Sequence, residues 1–209
     1  MKVKSSVLAA LLALAFIPQQ QPAGPPPSAD DLRAPANGAG QRKSQATPPD
    51  RLQKALHAGG EIHLQAGVTY PTSIVVRVSG TSIYFDGATS HPAFGPALEI
   101  PPGVNSVTVF DFDGTTDDKQ RVILCGHNDG TQTTLDLVPK DIRLVRPTIP
   151  DYGGKRGIEV NCTGEIDTPV INMTGALGQD TQGIGIANTP GPVWTHGAKI
   201  SGGVESFMG

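Results

Sequence analysis

Three polar residues return at one place in a repeating pattern: Arg156, Gln182 and Glu205. The segment Gly157-Ile158-Glu159-Val160-Asn161 comes back as Gly183-Ile184-Gly185-Ile186-Ala187-Asn188, an offset of 26, and Gln182-Gly183-Ile184 comes back as Glu205-Ser206-Phe207, an offset of 23. If each return is one rung of a stack of strands, the three Cα atoms lie about 4.8 Å apart per step and face one side. A polar ladder of this kind can line a groove that reads a sugar chain. It can equally be a structural ladder whose ends form a weak surface ion pair. Lys155 adds a cation beside Arg156, and Asp180 adds an acid two residues before Gln182, on the same face if the chain is extended there.

A second cluster is carboxylate-rich. Ser106-Val107-Thr108-Val109-Phe110-Asp111-Phe112-Asp113-Gly114-Thr115-Thr116 fits the nucleophile motif of haloacid-dehalogenase-type phosphatases, in which a hydrophobic strand ends in D-x-D-G-T. There the first Asp attacks phosphate and the second acts as acid and base. That family sets the motif on the first strand of a doubly wound fold, whereas here about 50 residues of β-type sequence precede it and turn-rich β sequence follows. The alternative is Ca²⁺, with Asp111 and Asp113 as hard oxygen ligands at alternating positions and Asp117 and Asp118 nearby. The plainer reading is an acidic, solvated loop. His57, His63, His91, His127 and His196 show no metal spacing.

The elements that must position these groups are short and β-like. Gly (26) and Pro (19) exceed a fifth of the 209 residues, and only 17% are charged, which favours many turns over long helices. A net charge of −3, with no dense Lys/Arg stripe, argues against a nucleic-acid partner. Lys2 and Lys4 ahead of the apolar run Val7–Ile17 read as an export signal over residues 1–23, since eleven apolar residues are too few for a membrane span. Residues 24–48, rich in Pro, Ala, Gly and Gln, read as a linker. A short amphipathic helix is expected over Pro49–Ala58, with Leu52, Ala55 and Leu56 on one face and Gly59-Gly60 as its stop.

From residue 61 onward short runs rich in Val, Ile, Leu and Thr alternate with Gly, Pro, Asn and Asp. The runs include Arg121–Cys125, Thr134–Val138, Gly157–Asn161, Val170–Met173 and Gly183–Ala187. Within successive repeats, Thr168-Pro169-Val170-Ile171 is matched to Gly191-Pro192-Val193-Trp194 as a second strand. Returns every 23 to 26 residues suit one turn of a three-strand coil and predict an all-β solenoid over residues 49–209. Cys125 and Cys162 could form a disulfide or remain buried thiols. Asn161-Cys-Thr and Asn172-Met-Thr are formal glycosylation sequons.

The stretch Leu52–Tyr70, with Gly59-Gly60-Glu61-Ile62-His63-Leu64-Gln65-Ala66-Gly67 at its centre, resembles the opening of secreted pectate-lyase-like β-helix proteins. The segments Lys155–Ile158, Gly178–Ile184, Pro190–Val193 and Gly202–Gly209 resemble their successive coils. The resemblance covers about residues 50–209. It implies a right-handed parallel β-helix with a short N-terminal capping helix, and further coils and a second lid are expected beyond Gly209. It also implies action on, or binding of, a uronate-type polysaccharide. Related hydrolases carry paired Asp residues where this chain has Thr181-Gln182-Gly183 and Val204-Glu205-Ser206, and an amide cannot replace a carboxyl group in acid–base work. A uronate lyase needs less: a base, and a cation or Ca²⁺ to neutralise the sugar carboxylate. On that reading Arg156, Asp180 and Glu205 are catalytic candidates and Lys155 and Gln182 substrate-binding ones. The other reading is a non-catalytic glycan-binding or adhesion protein. Trp194 and Tyr152 would stack on sugar rings if exposed, but core or turn packing is the expected fate of Trp194.

Overall fold

The computed structural model describes residues 46–126, 135–174, 181–187, 189, 191–202 and 205–208, all within the compact unit that runs from Gln41 to Gly209. The expected export signal and nearly all of the linker lie outside these residues. The one α-helix among them, α1 (Pro49–Ala58), has the expected bounds. Pro49 at its first position tolerates the missing N–H, and Leu52 and Leu56, one turn apart, are buried. Gly59 ends it at φ +69, donating its N–H to the Ala55 carbonyl at 2.9 Å. A β-carbon there would lie 2.6 Å from Val78 Cγ1, so no other residue fits.

The rest is a mostly β structure of stacked parallel sheets, traversed in passes of three strands. The first pass is β1 (Glu61–His63), β2 (Thr69–Tyr70) and β3 (Ile74–Val75); the second is β4 (Ser82–Tyr84), β5 (Thr89–Ser90) and β6 (Leu98–Ile100). The third has β7 (Val107–Phe110) and β8 (Arg121–Cys125), with only isolated bridges at Asp113 and Gly114 between them. Then come β9 (Ile142–Val145), β10 (Thr148–Ile149) and β11 (Arg156–Val160), followed by β12 (Gly164–Asp167), β13 (Val170–Met173) and β14 (Gln182–Ile186). The last pass is β15 (Val193–His196), β16 (Lys199–Gly202) and β17 (Glu205–Met208). The first strand of every pass joins one six-stranded sheet, β1-β4-β7-β9-β12-β15, and the third joins another, β3-β6-β8-β11-β14-β17. The middle strands form the smaller pairings β2-β5 and β10-β13-β16. This is a parallel, solenoid-like arrangement.

Aliphatic columns hold the passes together. Ile62, Ile83, Val109, Leu144 and Ile166 are in register through the first sheet, and Ile74, Leu98, Ile123, Ile158 and Ile184 through the third. All are buried, each worth about 1.5–3 kcal/mol of transfer free energy. Leu52 and Leu56 of α1 join the same core, as a lid over its first pass would. Single residues in the left-handed region turn the chain out of the first sheet: Asp111, Arg146 and Thr168 each follow a strand of that sheet directly, at φ +45 to +53. Cys125 and Cys162 are joined as a disulfide, with Cα atoms 5.8 Å apart.

Several expectations need correction. Leu135–Leu137 is a 3₁₀ turn rather than part of a strand over Thr134–Val138; Thr134 lies outside the described residues. Val170 and Ile171 pair with Lys199 and Ile200, not with Val193 and Trp194, which pair instead with Gly164 and Glu165. The error arose because β12 buries only Ile166 fully, so its sequence carries no apolar run to align. Asn161 is only 3% exposed and cannot carry a glycan, while Asn172 accepts a hydrogen bond from Ser201 Oγ. Among the described residues no helix is long and apolar enough to cross a membrane.

Candidate functional site

The register of the third sheet puts Arg121, Arg156, Gln182 and Glu205 in one column on β8, β11, β14 and β17. The expected ladder of Arg156, Gln182 and Glu205 is therefore present and extends one rung further back, to Arg121. Lys155 lies just ahead of the column, and its N–H bonds to the Lys119 carbonyl on the preceding rung at 2.8 Å. Asp180 lies outside the described residues.

A local kink decides what Arg156 touches. Strict alternation would send Arg156 to the same side as Ile158 and Val160, into the core. Instead the pairing skips Gly157: Arg156 is opposite Gln182, and the register resumes at Ile158 and Ile184. A β-carbon on Gly157 would lie 2.9 Å from Ile171 Cγ2, so positions 157 and 158 both face inward. The same happens on β8, where Val122 and Ile123 are both fully buried. Two inward residues in succession return Arg156 and Glu159 to the same outer face.

There Glu159 is enclosed, with 1% of its side chain exposed. Arg121 Nε reaches its carboxylate at 3.2 Å and Arg156 Nη1 at 3.1 Å, and Asn161 Nδ2 donates to it at 3.3 Å. Arg156 Nε also donates to Gln182 Oε1 at 3.2 Å. Gly185, opposite Glu159, leaves the room that Arg156 occupies: a β-carbon there would sit 3.2 Å from Arg156 Cδ. Asp118, at the mouth of β8, accepts from the backbone amides of Gly95 and Gln120. Arg121 and Arg156 thus meet on Glu159, and the exposed Lys119 and Lys155 lie just ahead of them at the starts of β8 and β11. Arg121 and Arg156 remain 20% and 30% exposed, so the guanidinium edges not facing Glu159 reach solvent. The arrangement suits an anion lying across the rungs.

Of the carboxylates expected to bind Ca²⁺, Asp111 is paired with an arginine. Strand β7 ends at Phe110 and Asp111 turns the corner at φ +53, its two oxygens taken by Arg146 Nε at 2.7 Å and Nη2 at 2.9 Å. Burial pushes the Asp113 carboxyl up from its usual value. Among the described residues no group of three or more His, Cys, Asp or Glu is placed to hold a metal. The D-x-D-G-T segment sits at the end of the third of six parallel strands, with no α-helix after it among the described residues, which is not the setting of a phosphatase nucleophile. Tyr152 is buried and donates its hydroxyl to the Asp118 carbonyl at 2.9 Å, so it offers no face to a sugar.

The outer face of the first sheet is built differently. On its early rungs His63, Tyr84 and Phe110 are in register and stacked nearly parallel, with ring centroids 4.4 and 4.5 Å apart. His63 is hydrogen-bonded to Glu61 at 2.8 Å and Asp86 at 2.7 Å. Those bonds, Glu61 first, raise its pKa against the opposing effect of burial. On the late rungs the column reads Arg143, Glu165, Trp194. Glu165 lies between Arg143 Nε at 3.1 Å and His196 Nε2 at 3.6 Å. Trp194 is 61% exposed, contrary to the core or turn packing expected of it, because the half-buried positions of β15 are Val193 and Thr195 and the ring falls on the outward alternate.

Sequence reasoning missed Glu159, Arg121, Lys119 and the pairing of Glu165 with Trp194. The signal for the first was an Arg at the same parity as Ile158 and Val160, a conflict that only a kink resolves. No protein-family model, curated protein or solved structure matches this chain.

Proposed function

We propose that this is an exported right-handed parallel β-helix protein of the pectate-lyase-like kind, which holds a uronate-type polysaccharide on the outer face of its third sheet. The observation that carries the reading is the stacking of Arg121 over Arg156 on adjacent rungs, with the exposed Lys119 and Lys155 just ahead of them along the chain, in a protein whose overall charge is −3. Cations repeating at strand spacing match a polymer that carries a carboxylate on each sugar, and planar guanidinium groups bind carboxylates in two-point fashion. Export is supported by the Cys125–Cys162 disulfide, a bond that persists in oxidising compartments.

The test is binding of hexagalacturonate by calorimetry, with cellohexaose as the neutral control. Lys119→Gln/Lys155→Gln, which alters only exposed side chains, is expected to weaken binding roughly tenfold and flatten its salt dependence. Equal affinity of this variant and the parent, or no binding of any uronate oligomer at low salt, overturns the reading.

A lyase on the same face is the second reading, favoured by the register of Arg156, Gln182 and Glu205. Arg156, charged and paired with Glu159, is suited to neutralising the sugar carboxylate; Lys155, Asp180 or Glu205 would then supply the base. Unsaturated ends absorbing in the ultraviolet, formed from polygalacturonate or alginate and lost in Arg156→Lys, distinguish it from binding alone.

A further inference from the structure

We infer that the first sheet carries a second, separate carbohydrate site: a cleft at Trp194 that takes a neutral pyranose unit of a glycan. It shares no residue with the basic face of the third sheet and stands without it.

The cleft is shallow and open, with a volume of ≈ 290 Å³, and is lined by Asp141, Arg143, Thr163, Glu165, Pro192 and Trp194. Trp194 forms its apolar wall. An indole that is 61% exposed on a regular strand leaves a broad flat surface in water, where such a ring normally buries 150–250 Å². The C–H face of a pyranose is a flat apolar surface of matching size. Its hydroxyls radiate at the rim and need partners there, and the cleft supplies them. The Glu165 carboxylate is one rung from Trp194 and lies between Arg143 and His196, where it can accept from a ring hydroxyl. Asp141 sits at the corner before β9 at φ +58, and Thr163 adds a hydroxyl beside β12. An apolar wall facing a few convergent polar groups is the general form of a small-ligand site.

Charge selects the class of sugar. Asp141 and Glu165 outnumber Arg143 in the lining, and the one cation is already bonded to Glu165. A uronate carboxylate would meet like charge there and give up its hydration without a free cation to replace it. A neutral hexose or pentose unit carries no such penalty. The two outer faces therefore differ in what they accept: an acidic polymer on the third sheet and a neutral sugar ring on the first.

Trp194 is the chain's single tryptophan, so intrinsic emission reports this cleft alone. Titrating the full chain with cellohexaose, mannohexaose and xylohexaose should shift the emission to the blue and shield the indole from acrylamide for at least one of them. Calorimetry should then give a roughly tenfold or larger loss of affinity in Trp194→Ala, partly restored in Trp194→Phe, which keeps a ring. Emission and quenching unchanged by every neutral oligosaccharide would overturn the proposal, and so would a Trp194→Ala variant of parental affinity. A response to hexagalacturonate alone would overturn the assignment to neutral sugars. Uronate binding that depends on Lys119 and Lys155, with Trp194 silent toward every neutral oligosaccharide, would remove this cleft and leave the basic face standing.

Discussion

The outer faces of the first and third sheets both carry a glutamate between two basic side chains, and they treat it in opposite ways. On the third, Glu159 is 1% exposed, bonded by two guanidinium groups and an amide. On the first, Glu165 is 33% exposed, its Arg143 partner 50% exposed and its His196 contact longer. The difference follows from the backbone. Where two successive residues turn inward, at Gly157-Ile158 and Val122-Ile123, the strand brings Arg156 and Glu159 onto one face, three residues apart. Where alternation is regular, as on β12 and β15, outward residues meet only their neighbours one rung away and stay in water. One face is thus a fixed charge assembly, and the other a set of adjustable surface groups around an exposed ring.

The sharpest way to break this comparison is to remove each glutamate's charge. Glu159→Gln leaves two partly buried arginines without a counter-charge and should cost about 3–5 kcal/mol. Glu165→Gln, at an exposed pair, should cost less than about 1 kcal/mol. Urea unfolding reads both, as a fall in midpoint at constant slope. Equal costs would mean that burial of Glu159 contributes nothing distinctive.

The disulfide joins the end of β8 to the segment between β11 and β12, and so links the third sheet to the first. It closes a separation of 37 residues, for which chain entropy predicts about 3–4 kcal/mol. Cys125→Ser/Cys162→Ser should lower the unfolding midpoint accordingly. A variant that unfolds in two steps, with hydrogen exchange rising first in one sheet, would show that the bond is what makes the two faces one cooperative unit.

How much of this was legible follows from which patterns repeat. Arg156, Gln182 and Glu205 could be aligned because Gly-Ile and Ser-Phe recur beside them at fixed distances, and the pairing of their strands depends on those core residues. The helix Pro49–Ala58 was legible because its proline, its Leu52/Leu56 spacing and its terminal glycines all agree. Glu159 was not, because alternation puts it opposite Arg156, and the kink that reverses this depends on packing of Gly157 against Ile171 in another strand. Trp194 was misassigned for a related reason. Val193-Trp194 looks apolar as a pair, but only one member of an alternating pair can face the core. The partner of Asp111 lies 35 residues away, at Arg146, which no local spacing reveals.

The kink itself is open to test. Gly157→Ala would put a β-carbon 2.7 Å from the Gly183 carbonyl oxygen and 2.9 Å from Ile171 Cγ2. Overpacking of that sort costs about 1–3 kcal/mol. Because it presses on the turn that aims Arg156, hexagalacturonate affinity should fall with it while Trp194 emission is unchanged. A loss of stability with parental uronate affinity would separate the kink from the basic face.

The smallest effect concerns pH and divides the first sheet along its length. His63, on its first rung and stacked on Tyr84, is bonded to Glu61 and Asp86, and those bonds, Glu61 first, raise its pKa above the ordinary 6.5. A group whose folded pKa is raised adds stability that is fully present below its unfolded pKa and is lost as pH rises through the folded value. The contribution should therefore be complete at pH 5.5 and fade above pH 6.5. The Arg143–Glu165 contact on the late rungs keeps its guanidinium charged throughout that range. The difference in unfolding midpoint between the parent chain and His63→Gln should shrink from pH 5.5 to 8.5, while the difference between the parent and Arg143→Gln stays flat. A His63 difference that grows with pH would mean that the neutral ring, stacked on Tyr84, is the form the fold prefers.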